Sequence, residues 1–148
     1  MTATDRLDDG SQAGLARRYG VDTSILVRLI AQEPRADFER CLIQLGVLVD
    51  ERGCEIFASN QAIGEAYAAL IHHYSLSSAD ARAGLRDVLT SGLIAPQNGR
   101  AVLEALAATS NPGLFDRLIA IDYERAGLDT LTLDRRMASL RHVRLVSE

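Results

Sequence analysis

Five short stretches of strand character alternate with segments of helical periodicity, and this alternation restricts the fold more than any other feature of the chain. Residues 17–21, 54–58, 93–95, 128–133 and 142–146 carry the strand signal. Parallel strands need crossover connections of about a dozen residues or more, commonly helical. The expected architecture is therefore α/β, a three-layer sandwich around a parallel sheet. The first helix, residues 22–32, has Ile25, Leu26, Leu29 and Ile30 on one stripe and stops before Pro34. A second, residues 36–52, carries the apolar set Leu42, Ile43, Leu45, Val47, Leu48 and Val49 and is closed by Gly53. Ser59 or Asn60 caps a third helix ending near Tyr74, and Ser77 or Ser78 a fourth ending near Thr90. Asn98 caps a fifth to Ala108, and a sixth covers residues 114–126 before Gly127.

With 148 residues, 47% of them hydrophobic, the chain suits one domain with a full core, residues 16–148. Residues 1–15 are acidic and Gly/Ser-bearing, lack an apolar signal-peptide core, and read as a flexible N-terminal tail. No apolar run approaches the ~20 residues that span a bilayer. Cys41 and Cys54 form neither a disulfide framework nor a metal spacing, which points to a reducing, cytoplasmic setting. The net charge of −4 argues against coating nucleic acid through bulk positive charge. All 16 basic residues are Arg, and the missing lysine excludes P-loop, Schiff-base and receiver-type phosphoaspartate chemistry.

Asp22 falls where the first strand hands over to the first helix, and Asp134 directly follows the fourth strand. A single parallel sheet would set both on one edge, where functional side chains of open α/β sheets gather. Asp116 opens the sixth helix and Glu65 lies early in the third, which brings both toward that edge. Asp22 taken alone also reads as a simple helix cap. Four carboxylates in one partly dry site repel one another, and a divalent cation relieves this. Oxygen-only ligands select Mg²⁺ or Mn²⁺, ions that activate water and stabilise charge on a phosphodiester. Arg135 and Arg136 follow Asp134 and are either phosphate contacts or a solvated pair. The adjacent His72 and His73 point in different directions on a helix and make a poor ligand pair.

Asp22-Thr23-Ser24 after a strand, Ile63-Gly64-Glu65-Ala66-Tyr67, Phe115-Asp116-Arg117-Leu118-Ile119-Ala120 and Thr132-Leu133-Asp134-Arg135 resemble, in order, the four motifs of PIN domains. The resemblance runs from about Arg17 to Val146, and the chain's size is similar to that of VapC-type toxins of type II toxin–antitoxin pairs. It implies a five-stranded parallel sheet of order 3-2-1-4-5, with the first and fourth strands meeting at the switch point. It further implies a Mg²⁺- or Mn²⁺-dependent endoribonuclease with Asp22, Glu65, Asp116 and Asp134 as catalytic metal ligands and Ser24 as a supporting hydroxyl. Arg135 and Arg136 would contact the RNA. The expected partners are an RNA substrate, a small antitoxin and a second copy of the chain. A catalytically silent PIN-like module for RNA binding or protein assembly is the alternative. Many relatives carry a further Asp three residues before the third-motif acid, where this chain has Gly113.

Overall fold

The computed structural model describes residues 17–146, so the expected tail at 1–15 lies outside the described residues. β1 (Arg18–Val21) runs into Asp22, and α1 (Thr23–Ala31) begins at once. α2 (Arg35–Gly46) follows Pro34 and widens into a π-helical turn at Val47–Glu51 before β2 (Glu55–Ala58). Then come α3 (Asn60–Tyr74), α4 (Ser78–Leu89), β3 (Ala95–Pro96) and α5 (Arg100–Ala107). α6 (Leu114–Arg125), β4 (Thr130–Thr132), a 3₁₀ turn at Met137–Ser139 and β5 (Val143–Leu145) complete the order.

Local chemistry sets most of these boundaries. Ser59 Oγ accepts from Ala62 N at 3.1 Å and Ser77 Oγ from Asp80 N at 3.0 Å, capping the donors that a helix start leaves open. α1 ends at Gln32, whose left-handed backbone lets its N–H reach Arg28 O at 3.0 Å. One expected cap is corrected. Gly99, at φ 77°, precedes α5, and the Asn98 amide donates instead to Asp122 Oδ1 at 2.6 Å.

Helices dominate the core. Leu26 and Leu29 of α1, Ile63 and Leu70 of α3, and Leu85 of α4 meet Val102 and Leu106 of α5 and Leu114 and Leu118 of α6. Ile56 and Ala58 of β2 join them. α1 packs against α2, α3 and α4, and α6 against α3 and α5. The broad apolar set on α2 divides: Leu45 enters the core, while Leu42 and Ile43 are 40% and 65% exposed.

The expected five-stranded sheet of order 3-2-1-4-5 is not formed. β1, β2 and β3 make one parallel sheet with β1 at its edge, and β4 pairs in parallel with β5 in a separate two-stranded sheet. The composition of β4 explains the separation. A central parallel strand is covered on both faces and reads as nearly continuous apolar sequence. β4 instead alternates Thr and Leu: Thr130 is buried, while Leu131 and the following Leu133 are 67% and 80% exposed. Insertion beside β1 would cover the leucines but also force further hydroxyl groups under a second layer. Polar contacts hold the small sheet at the end of α6. Arg141 donates to Glu124 Oε1 at 3.1 Å, and His142 Nδ1 lies 3.2 Å from Asp129 Oδ1. Among the described residues, no helix is long and apolar enough to cross a membrane.

Candidate functional site

The turn from β1 to α1 carries the densest polar geometry at the expected site. Asp22 is the N-cap of α1 and accepts from Ser24 N at 3.0 Å. Ser24 Oγ donates to the same Oδ1 at 2.5 Å. This hydroxyl is the main reason the Asp22 carboxyl lies below its ordinary value of 3.8. Partial desolvation opposes the shift, and the Ser24 and Ile25 amides add to it. Ser24 therefore keeps Asp22 ionised and fixes one of its oxygens, as a supporting hydroxyl should.

Glu65 reaches the same turn from another element. α1 and α3 pack together, and Thr23 Oγ1 donates to Glu65 Oε2 at 2.9 Å. Two carboxylates distant in sequence are thus coupled through adjacent residues at one helix start. The sequence reading treated Thr23 only as a possible cap; Asp22 does the capping, and Thr23 is left free to bridge. A hydroxyl on the first helical residue after a capping Asp, opposite an acid on a neighbouring helix, was the available signal.

Asp116 lies half-buried in the first turn of α6, which packs on α3. Its neighbour Phe115 meets Tyr67 of α3 edge-on, with ring centroids 5.8 Å apart. Gly64, next to Glu65, permits this approach, because a Cβ there would lie 3.1 Å from Phe115 Cε1. Asp116 is thus carried on an element seated beside Glu65. Asp134 is placed otherwise. It is exposed in the turn after β4, accepting from Arg136 N at 2.8 Å, and its own N–H donates to Thr132 Oγ1 at 3.0 Å. The sheet edge expected to hold both Asp22 and Asp134 does not exist, since β1 and β4 belong to different sheets. Arg135 and Arg136 are exposed beside Asp134. Among the described residues, no group of three or more His, Cys, Asp or Glu side chains is arranged to hold a metal ion.

What is assembled is an exposed, oxygen-only pair, Asp22 and Glu65, each fixed by a neighbouring hydroxyl. Such a pair accepts hydrogen bonds from water and binds hard cations. His72 and His73 are exposed in the last turn of α3, and His142 lies between Glu124 and Asp129. Comparison with known protein families, characterised proteins and solved structures finds no match to this chain.

Proposed function

We propose that the chain is a metal-dependent endoribonuclease of the PIN type, acting in the cytoplasm as the toxin of a toxin–antitoxin pair. The observation that carries this reading is the coupling of the β1–α1 turn to α3: Asp22 fixed by Ser24, and Glu65 fixed by Thr23. The donor set fits Mg²⁺ or Mn²⁺. Mg²⁺ commonly keeps several waters and is held by one or two carboxylates together with substrate phosphates. Asp22 and Glu65 would hold the ion, with Asp116 and Asp134 as the further acids of the site. Bound there, such an ion supplies Lewis-acid stabilisation of a phosphodiester and a more acidic coordinated water.

The chain's own groups divide the remaining work. Ser24 keeps Asp22 ionised, and Thr23 holds Glu65 against the α1 start. Arg135 and Arg136 offer exposed guanidinium groups for phosphate oxygens. Attack by the ribose 2′-hydroxyl normally relies on His or Lys as acid and base. The chain has no lysine, and no histidine contacts Asp22 or Glu65 in the hydrogen bonds and ion pairs of the described residues. The products should therefore carry 5′-phosphate and 3′-hydroxyl ends. The partners of this reading are an RNA, an antitoxin whose Arg pairs with the site carboxylates, and a second copy of the chain. Because Leu45 belongs to the core, Leu42 and Ile43 of α2 are the residues of that helix open to a partner.

The test is RNA cleavage with Mg²⁺ or Mn²⁺ followed by end-group analysis. Full activity in EDTA, or 2′,3′-cyclic phosphate ends, overturns the reading. The silent RNA-binding or assembly module is favoured by one observation: the Asp134 carboxylate, on the separate small sheet, caps the Arg136 N–H. RNA binding with no cleavage under any divalent metal would select it.

A further inference from the structure

A cavity of about 230 Å³ opens between α3 and α6, lined by Asn60, Gln61, Gly64, Glu65, Phe115, Leu118, Ile119 and Asp122. Its walls are apolar: Phe115 and Ile119 are 48% and 46% exposed, and Leu118 is buried. Its charged groups are two carboxylates and no cation. Glu65 has one oxygen engaged by Thr23, and Asp122 has one engaged by the Asn98 amide. Asn60 supplies the independent sign of a ligand. The residue is only 4% exposed, and its Nδ2 donates to Leu118 O at 2.8 Å, yet its buried Oδ1 has no partner. A buried acceptor left without a donor costs free energy, and native structures rarely leave one unmatched.

Apolar walls, acceptors without a matching donor and two carboxylates describe the complement of an organic cation. The volume equals roughly seven water-sized volumes at ~30 Å³ each, the bulk of a short alkyl chain with its charged head. We infer that this cavity binds a small alkylammonium or alkylguanidinium cation. Its stem lies along Ile119 and Leu118, its cationic head receives the carboxylates, and the Phe115 ring adds a cation–π face. Neither a phosphate nor an acidic peptide suits such a rim. Glu65 is shared with the proposed nuclease site, so an occupying amine competes with that site for a carboxylate. This consequence rests on the nuclease reading, whereas the binding itself does not.

The experiment titrates putrescine and agmatine into the full chain at low ionic strength, read by calorimetry and by the NMR signals of the Phe115 ring. The expected result is saturable one-site binding that shifts Phe115. Asp122→Asn should weaken it by about tenfold or more, the usual effect of losing one charged partner. Asp87→Asn on α4 makes the same charge change away from the cavity and should leave the affinity unaltered. Ile119→Lys, at an exposed position, sets a built-in ammonium at the mouth and should abolish binding. Absence of binding, equal losses in Asp122→Asn and Asp87→Asn, or a response that NaCl of equal ionic strength reproduces overturns the assignment. Binding of adenosine or cytidine without amine binding also overturns it, by making the cavity a base pocket. Amine binding in a chain that cleaves no RNA would sink the nuclease reading and leave this site standing.

Discussion

Replacing Gly84 with Ala tests whether α1, which carries the Asp22 turn, is seated as described. Gly84 lies inside α4, where Ala is favoured over Gly by about 1 kcal/mol on helix propensity alone. Tertiary contact opposes that gain. A Cβ at residue 84 would lie 2.7 Å from Ile30 Cγ2 on α1, against a carbon–carbon optimum of about 3.5–4.0 Å. The intruding atom must therefore displace a neighbour by roughly 1 Å. Ile30 is β-branched on a helix, so its χ1 is confined chiefly to one rotamer and the methyl cannot simply swing aside. Overpacking of this kind costs about 1–3 kcal/mol, which leaves a net loss of about 1 kcal/mol after the propensity gain. For a chain of this length that lowers Tm by about 4 °C. Circular dichroism melting combined with urea unfolding would measure it. The sign should reverse in an Ile30→Ala background, where Gly84→Ala should stabilise by up to about 1 kcal/mol. Stabilisation by Gly84→Ala in the wild-type background would refute the close approach of α1 and α4.

Asp22 titrates below its ordinary 3.8, chiefly through the Ser24 hydroxyl, so its stabilising contribution is complete above that value and is lost as pH falls through its lower folded value. A carboxyl NMR titration of Ser24→Ala should move Asp22 back upward; an unchanged midpoint would remove Ser24 from its role. Burial raises the Cys41 thiol above 9.0 despite the opposing charge of Arg28, so at pH 8 it should react with iodoacetamide more slowly than a free thiol, and Arg28→Met should slow it further. Faster labelling in Arg28→Met would contradict that electrostatic account. Millimolar Mg²⁺ or Mn²⁺ should raise Tm by binding only the folded arrangement, and Asp22→Asn should reduce the gain; a metal-insensitive wild-type melt counts against the ion site.

The helices were legible because capping and periodicity are local. Ser59, Ser77 and the stripe Ile25, Leu26, Leu29 and Ile30 encode their elements within one or two turns. The strands were legible as segments but not as a sheet. Pairing between residues far apart in sequence depends on which partner covers which face, and the Thr130–Leu131–Thr132–Leu133 alternation was the overlooked sign that β4 is covered on one side only. Asp22 and Glu65 could be brought together from their positions at the end of β1 and early in α3. The bridge through Thr23 depends on a side-chain rotamer and on α1–α3 packing, which no pattern of residue types encodes. Asn60 was read as a possible cap, yet its amide is buried against Leu118 O because α6 closes over the first turn of α3. Leu45 and Ile43 belong to one apolar stretch of sequence, and only the packing of α2 against α1 separates core from surface.

Single-turnover cleavage of RNA by Asp22→Asn, Glu65→Gln and the double variant tests most directly whether these two carboxylates form one working site. The account predicts that each single substitution lowers the metal-dependent rate by about 100-fold or more, and that the double variant is little worse than either, because residues acting as a unit are not additive. Undiminished cleavage by either single variant, with its fold intact by circular dichroism, would contradict it.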